Sequence, residues 1–165
     1  MAIQVRKATI TDYEPLCVLF EEIDAYHRDH LPHLFKKPGG PSREHEYFAG
    51  LLADENVGFF VAEAGHQLVG FVYALVRDTP DIPIFVPRRF ATVDTIVVAS
   101  PFRRLGIGRQ LMDTMQAWAI AKGAVSIELT VYEFNQTAIS FYEQLCYQPL
   151  HRRMSKELKV DEAAG

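Results

Sequence analysis

The sequence has few cysteines, no excess of positive charge and no long apolar run. Its two cysteines, Cys17 and Cys146, are too far apart to form a metal-binding or redox pair, and they do not suggest a disulfide framework. The formal net charge of −4 gives no electrostatic basis for nucleic acid as the main partner. No apolar run is long enough to cross a membrane, so we expect no membrane partner. The first residues run directly into an alternating segment, and we expect no signal peptide and a cytoplasmic location.

A metal site is also not expected. His27, His30 and His33 recur at three-residue spacing, which invites a metal interpretation. Pro32 interrupts the helix that would be needed to stack them, and no cysteine or carboxylate completes a ligand set. A role in packing or in lining a substrate pocket is therefore favoured for these histidines, and we predict no metal.

The length of 165 residues is enough for one domain with a substantial core. We predict a single domain over residues 1–160 and a flexible polar tail over residues 161–165. Period-two alternation predicts strands, and apolar spacing of three to four residues predicts helices. The predicted strands cover residues 3–7, 58–63, 68–76, 92–98, 125–131, 147–150 and 153–158. The predicted helices cover residues 12–26, 42–53, 107–122 and 135–145.

Several residues are predicted to begin or interrupt these elements. Thr11 to Glu14 have the pattern of a capping box for the first helix, and Ser42 is the predicted N-cap of the second. Three prolines and two glycines within residues 27–41 predict a long irregular segment. A hairpin is predicted at residues 64–67, between two strongly apolar strands.

Residues 92–110 have the pattern of a phosphate-binding loop. A β-branched strand ends at Pro101, and arginines and two glycines then precede an amphipathic helix. Free backbone N–H groups, the positive end of the helix dipole and the arginines would together attract a phosphate. A P-loop is excluded because Arg109 and Gln110 follow Gly108, where lysine and a hydroxyl residue are required. A dinucleotide fingerprint lacks its third glycine, because position 111 is leucine.

Two motifs in this half of the chain resemble the GNAT superfamily of N-acetyltransferases. The pattern R-x-x-G-x-G from Arg103 to Gly108 is similar to the pyrophosphate loop of that family. Residues 135–147 are similar to the family segment N-x-x-A-x-x-F-Y-E-x-L-G-F, and they follow at a suitable distance. Cys146 replaces the usual glycine, and a left-handed conformation there would cost about 1 kcal/mol.

The resemblance implies an α/β fold (α+β in some schemes) that binds acetyl-CoA. Its central sheet would be mixed, mostly antiparallel and six- to seven-stranded, flanked by about four helices and splayed between strands 4 and 5. By resemblance, pantetheine would pair with the strand backbone of Ile96, Val97 and Val98. Asn135 would hydrogen-bond the pantetheine arm, although a simple helix cap is an equal alternative. The residues implied to bind the pyrophosphate are Arg103, Arg104, Leu105, Gly106, Ile107, Gly108 and Arg109.

The resemblance also implies acetyl transfer from acetyl-CoA to a primary amine by direct attack in a ternary complex. Tyr142 is the predicted general acid for the departing thiolate. Glu128 alternates with apolar neighbours and so faces the sheet surface, where by resemblance relatives place a water-bridging carboxylate; it is the predicted base, and Asp94 on the adjacent strand is its rival. An exposed strand carboxylate is most often only solvated, and that alternative applies to both residues. The substrate would be a small-molecule or peptidyl amine, and a homodimer is left open. Three acidic residues of the first helix could line a pocket for a cationic amine, although such residues usually form a solvated face; they are Glu21, Glu22 and Asp24.

Two other functional classes compete with this interpretation. A non-catalytic acyl-CoA sensor would keep the phosphate loop and lack the amine chemistry. A nucleotide-binding interaction module would use the same helix N-terminus without a pantetheine channel. Tyr142 and Asn135 of the second motif argue against the sensor. Comparing the binding of acetyl-CoA with the binding of ADP would distinguish the nucleotide-binding module from the acetyltransferase.

Overall fold

The structure, a computed structural model, describes residues 2–158 of the protein. Those residues form five strands and four α-helices. The strands are β1 (Ile3–Lys7), β2 (Val57–Ala64), β3 (Gln67–Asp78), β4 (Arg89–Val98) and β5 (Ile127–Leu129). The helices are α1 (Tyr13–His30), α2 (His45–Ala53), α3 (Ile107–Ala121) and α4 (Gln136–Gln144). The chain divides into two compact units, one ending at Thr130 and the other beginning at Val131. The first unit holds the whole sheet, and the second holds α4.

The five strands form one mixed sheet in the order β1-β2-β3-β4-β5. The first four strands pair antiparallel with their sequence neighbours, and β5 pairs parallel to β4. The predicted hairpin between β2 and β3 is confirmed, with Gly65 at φ +65° in its two-residue loop. The parallel β4–β5 pair requires a crossover, which α3 provides.

Both faces of the sheet are covered in the first unit. Helices α1 and α2 pack on one face through Leu16, Phe20 and Phe48, which contact the strand residues Phe59 and Phe71. Helix α3 packs on β2 and β3 through an apolar stripe. That stripe consists of Ile107, Leu111, Met112, Met115 and Ala119. Burial on both faces explains why β2 and β3 are nearly continuous apolar runs instead of alternating segments.

The prediction of six to seven strands is wrong, because residues 2–158 contain five. The segments 147–150 and 153–158, predicted as strands, have no regular structure. Pro149 cannot donate a ladder hydrogen bond, and Leu150, Met154 and Leu158 are 70%, 84% and 73% exposed. Without a buried face, nothing fixes these segments into a sheet. The predicted tail at residues 161–165 lies outside the described residues, and the single-domain assignment stays a prediction.

Three helix boundaries also differ from the prediction. Helix α1 continues to His30 instead of ending near residue 26, and it stops just before Pro32, which disfavours the helical conformation of Leu31. The capping box predicted at Thr11 for α1 is instead formed by Thr9, and it caps a 3-10 turn at Ile10–Asp12 that directly precedes α1; the Thr9 N–H donates to Asp12 Oδ2 at 2.7 Å. Ser42 does not cap α2, because that helix begins at His45 with Glu44 as its N-cap.

In the second unit, α4 ends with a left-handed residue at Cys146, the position where the family usually has glycine. Cys146 has φ +65°, and its N–H donates to Glu143 O at 2.9 Å. The next N–H, of Tyr147, donates to Tyr142 O at 3.0 Å. This pair of bonds is the Schellman motif, and the rings of Tyr142 and Tyr147 pack across it with centroids 5.8 Å apart. A cysteine therefore occupies a backbone conformation that favours glycine.

Candidate active site

Strand β4 extends beyond its neighbour and leaves one side of its backbone unpaired. Its pairing with β5 covers only residues 91–93, and in the described part of the chain residues 94–98 have no strand partner on that side. We call residues 94–98 the open edge. On the side that faces β3, the Ala99 N–H donates to Val69 O at 2.9 Å. In an antiparallel pair every second residue of a strand bonds to the same neighbour, so Val97 bonds to β3 as Ala99 does. The polar backbone groups of Val97 therefore point to β3, whereas those of Ile96 and Val98 point out of the open edge.

A loop of free backbone amides follows β4. Residues 104–109, which we call the amide loop, join a 3-10 turn at Ser100–Phe102 to helix α3. Arg104 at φ +66° and Gly106 at φ +79° are left-handed, and this geometry turns successive N–H groups in one direction. The first helical amide with a partner is that of Gln110, which donates to Gly106 O at 3.1 Å. The six N–H groups of the amide loop bond to no other group in residues 2–158. The loop is suited to hold an anion.

The three arginines of this region have different surroundings. Arg103 donates to Val98 O at 2.9 Å and to Glu22 Oε1 at 2.7 Å, and Glu22 also accepts the Ser100 N–H at 3.0 Å. The charge of Arg103 is therefore compensated by Glu22, and the Arg103 side chain links the end of β4 to helix α1. Arg104 and Arg109 have no ion pair with any other described residue. Their positive charges are available to a ligand.

The side chains of the other predicted loop residues do not contribute polar groups. Ile107 is 1% exposed and belongs to the core under α3, while Leu105 is 55% exposed. Gly106 and Gly108 have no side chain to offer. These four residues can hydrogen-bond a ligand only through their backbone groups, and the predicted mode of binding stays a prediction.

Glu128 on β5, the predicted base, is held by an arginine. Arg88 donates to Glu128 Oε1 at 2.6 Å and to Ser126 Oγ at 2.9 Å. The same guanidinium stacks over the Phe90 ring at 4.5 Å from its centroid. The carboxylate charge of Glu128 is thus compensated by Arg88, and one of its oxygens is already occupied by that guanidinium.

Asp94 on β4, the rival base, has neutral partners. Tyr73 Oη and Thr95 Oγ1 both donate to Asp94 Oδ2, the latter at 2.9 Å. Asp94 is the extra residue of a β-bulge, because Tyr73 pairs with Thr95 and Ala74 pairs with Val93. A bulge of this kind turns a side chain out of the regular alternation, and here it leaves Asp94 exposed.

The three acidic residues of α1 that were predicted to line a pocket for a cationic amine are each held in an ion pair. Glu21 pairs with Arg28 at 2.9 Å, and Asp24 pairs with Arg43. Glu22 is bound to Arg103, as described above. Each of these carboxylates therefore has a cationic partner within the first unit, and the predicted pocket role would require one of these pairs to open.

The second unit contains the other two predicted site residues. Asn135 Oδ1 accepts the Ala138 N–H at 3.1 Å, so this residue is the N-cap of α4. Its side-chain NH2 group stays available as a donor. Desolvation raises the pKa of Tyr142 to about 12, with a smaller contribution from Tyr147. The Tyr142 hydroxyl is thus a neutral donor at physiological pH, and it bonds to no other protein atom in the described range.

Residues 2–158 show neither of the two patterns that indicate a metal site or a membrane-spanning helix. In the described part of the chain, no group of three or more histidine, cysteine or acidic side chains is arranged to hold a metal ion. His27 and His30 lie in the last turn of α1, and His33 follows the helix. Over the same residues, no helix combines the length and the apolar character needed to span a membrane.

Comparisons with known proteins agree with these features. A sequence model of the Acetyltransferase (GNAT) family matches residues 20–146. The chain is 34% identical over 102 residues to an uncharacterized N-acetyltransferase, MJ1207, of Methanocaldococcus jannaschii, and this match covers 62% of the chain and 44% of MJ1207. The chain thus matches less than half the length of that relative.

Solved structures show the same fold. A mutant of the BH1408 protein from Bacillus halodurans superposes with a TM-score of 0.90 at 24% identity, covering 94% of this chain and 99% of that one. AAC(6')-Iy, solved in complex with the bisubstrate analog CoA-S-monomethyl-acetylneamine, gives a TM-score of 0.74 at 20% identity, covering 97% of this chain and all of that one, 100%. Because the family match covers most of the sequence, the chain belongs to the acetyltransferase (GNAT) family.

Proposed function

We propose that the protein is an N-acetyltransferase that moves an acetyl group from acetyl-CoA to a primary amine of a small molecule or peptide. One observation carries the proposal: the open edge of β4 is followed within a few residues by the amide loop. An extended arm with amide groups and a terminal pyrophosphate matches such a surface, because the arm can pair as a strand and the phosphates can accept N–H bonds. The family membership and the names of the relatives support the same activity.

For the acetyl-CoA arm, we infer that Ile96 and Val98 supply the backbone hydrogen bonds, because their polar groups point out of the open edge. Val97 would act only by positioning its two neighbours, because its polar groups face β3 and its side chain is buried in the core. The amide loop would hold the pyrophosphate, with Arg104 and Arg109 supplying positive charge. Arg103 would act mainly by fixing the end of β4 through Val98 O. Asn135 stays a proposed ligand of the arm through its free amide donors.

The reaction requires a base for the amine and an acid for the thiolate. The neutral nitrogen attacks the thioester carbonyl, a C–N bond forms, and the C–S bond breaks with its electron pair on sulfur. We propose Asp94 as the group that takes the amine proton, directly or through water, because Arg88 compensates the charge of Glu128. Tyr142 would give its proton to the departing thiolate, and its pKa of about 12 keeps that proton in place until the sulfur accepts it.

The cofactor part of the proposal is tested by calorimetric titration with acetyl-CoA. Arg104→Glu replaces an attractive charge at the amide loop by a repulsive one, and we expect affinity to fall by roughly tenfold to a hundredfold. Arg77→Glu is the matched control: Arg77 is exposed near the end of β3 and has no ion pair with another described residue. Equal affinities for the two variants would contradict the proposed pyrophosphate site.

The transferase activity itself is tested by thiol release. Purified protein and acetyl-CoA are incubated with polyamines, aminoglycosides, amino acids and N-terminal peptides, and free CoA thiol is measured with a chromogenic disulfide. We expect at least one amine class to stimulate release, with the acetylated amine detected by mass spectrometry. Tight acetyl-CoA binding with no release from any amine would contradict the enzyme proposal and favour an acyl-CoA-binding module.

A further inference from the structure

The strands of the sheet carry four carboxylates, and the hydrogen-bond partners of one of them differ from those of the other three. Glu63 pairs with Arg6 at 2.7 Å, Asp78 with Arg89 at 2.8 Å, and Glu128 with Arg88 at 2.6 Å. Asp94 has no cationic partner among residues 2–158, and its hydrogen-bond donors are neutral hydroxyls. Each of the other three carboxylates has an arginine partner, so among the strand carboxylates of the described residues Asp94 is the one whose charge no cation compensates.

The two hydroxyls bind the same oxygen of Asp94. Tyr73 Oη and Thr95 Oγ1 both donate to Oδ2, and Oδ1 accepts no bond from the described part of the protein. A carboxylate held by one oxygen in this way cannot rotate freely, and its second oxygen has a fixed direction. Because the bulge leaves Asp94 exposed beside the open edge, Oδ1 is available to a group that approaches from outside.

Tyr73 is placed to hold this arrangement from inside the core. It is 2% exposed, and its ring stacks on Phe59 with centroids 5.1 Å apart, which fixes the direction of the hydroxyl. Burial, followed by the hydrogen bond to Asp94, raises the pKa of Tyr73 well above its ordinary value. The phenol therefore stays protonated and donates to Asp94 throughout the working pH range. Tyr47 on α2 also faces this hydroxyl and raises the pKa of Tyr73 further.

We propose that Tyr73 is a positioning residue for acetyl transfer: it holds Asp94 by Oδ2 and so presents Oδ1 to the N–H of the substrate amine. This inference rests on the proposed function and adds a residue to it. No sequence motif indicates Tyr73, which lies 21 residues from Asp94 and was predicted only as part of an apolar strand. Its effect is exerted through Asp94, so removing its hydroxyl matters only while the carboxylate is present.

A double-mutant cycle tests that dependence. Tyr73→Phe, Asp94→Asn and the double variant are compared for kcat, for the amine KM and for acetyl-CoA affinity. We expect Tyr73→Phe alone to lower kcat about tenfold, the size associated with one hydrogen bond to a charged group. In the Asp94→Asn background the same change should have less than a twofold effect. Acetyl-CoA affinity should not change. An equal loss of kcat in both backgrounds would overturn the inference, because it would make Tyr73 a general packing residue.

Two further variants separate positioning from folding. Tyr13→Phe removes another partly buried phenol, which donates to Arg43 O at 2.9 Å and does not contact Asp94. This control should retain kcat within twofold. Thr95→Val removes the second donor to Oδ2 from a less buried site, and it should lower kcat severalfold in wild type and little in Asp94→Asn. If Tyr73→Phe unfolds, the Thr95→Val cycle decides, and an additive result there counts against the inference.

Failure of the inference can be distinguished from failure of the proposed function. A wild-type protein that releases no thiol with any amine contradicts the activity itself, and the role of Tyr73 is refuted with it. A wild-type protein that acetylates an amine, with a Tyr73→Phe variant of equal kcat, refutes only the positioning role and leaves the transferase proposal intact.

Discussion

Gly70 on β3 offers the sharpest test of how tightly the sheet is built at the open edge. A Cβ added there would lie 2.7 Å from Val97 O and 3.3 Å from a methyl group of Leu111. The first contact is with backbone, so the two strands would have to separate by several tenths of an ångström. Gly70 pairs with Val98, and this displacement would therefore reach the residues proposed to bind the acetyl-CoA arm.

We expect Gly70→Ala to lower the free energy of unfolding. Overpacking of a rigid core costs about 1–3 kcal/mol, and the reduced freedom of the unfolded chain returns about 0.4–1 kcal/mol. The net loss is about 1–2 kcal/mol, which for a chain of this size lowers Tm by roughly 2–8 °C. Urea titration followed by circular dichroism measures the loss, and calorimetry should show weaker acetyl-CoA binding.

Gly50→Ala is the matched control with the opposite sign. Gly50 is exposed within α2, and no atom lies within 4 Å of an added Cβ. Alanine is the better helix former by about 0.8–1 kcal/mol, so this variant should be more stable than wild type, with unchanged cofactor affinity. A Gly70→Ala variant as stable as Gly50→Ala would show that β3 and β4 do not approach as closely at Gly70 and Val97 as the structure indicates.

Three further predictions concern other parts of the chain. Cys146→Gly relieves a left-handed cysteine and should stabilise the protein by about 1 kcal/mol, measured as a rise in Tm. The pKa of Asp12 is lowered, chiefly by hydrogen bonds from Arg6, so its ionised form stabilises the fold at neutral pH and that contribution is lost as the pH falls through the lowered pKa. Urea titrations between about pH 6 and pH 2 should therefore show a weaker pH dependence of stability in Asp12→Asn than in wild type. Glu128→Gln breaks a half-exposed ion pair with Arg88, and we expect it to change stability by about 0–1 kcal/mol and kcat by less than about twofold; a loss of about a hundredfold would restore Glu128 as the base.

Local sequence patterns predicted most of the elements of the first unit. Alternation located β1, the turn chemistry of Gly65 located the hairpin, and the apolar stripe located α3. Each of these signals depends on residues within a few positions of one another. The failures have the same origin: residues 147–158 alternate like strands, but no partner strand or buried face exists for them in the described chain.

The site divides in a similar way. The amide loop was predictable because its glycines, the preceding strand and the following helix are contiguous. The ion pairs around the site could not be predicted, because their partners are far apart in the sequence. Arg103 pairs with Glu22 across 81 residues, and Arg88 pairs with Glu128 across 40. The sequence therefore did not distinguish Arg103, which is held in an ion pair, from Arg104 and Arg109, which have none with another described residue. It also did not indicate that Glu128, the predicted base, pairs with Arg88.

The sequence alone determined that this chain has a strand, a glycine-containing loop and a helix in succession, followed by the second motif of the acetyltransferase family. Backbone geometry at Gly106, the dipole of α3 and the helix cap at Asn135 are local properties, and local residues specify them. Only the tertiary structure decided which acidic side chain of the strands lacks a cationic partner among residues 2–158. Ion pairs and hydroxyl contacts form between residues that lie tens of positions apart in the sequence, and the packing of the strands left Asp94 without an arginine among residues 2–158.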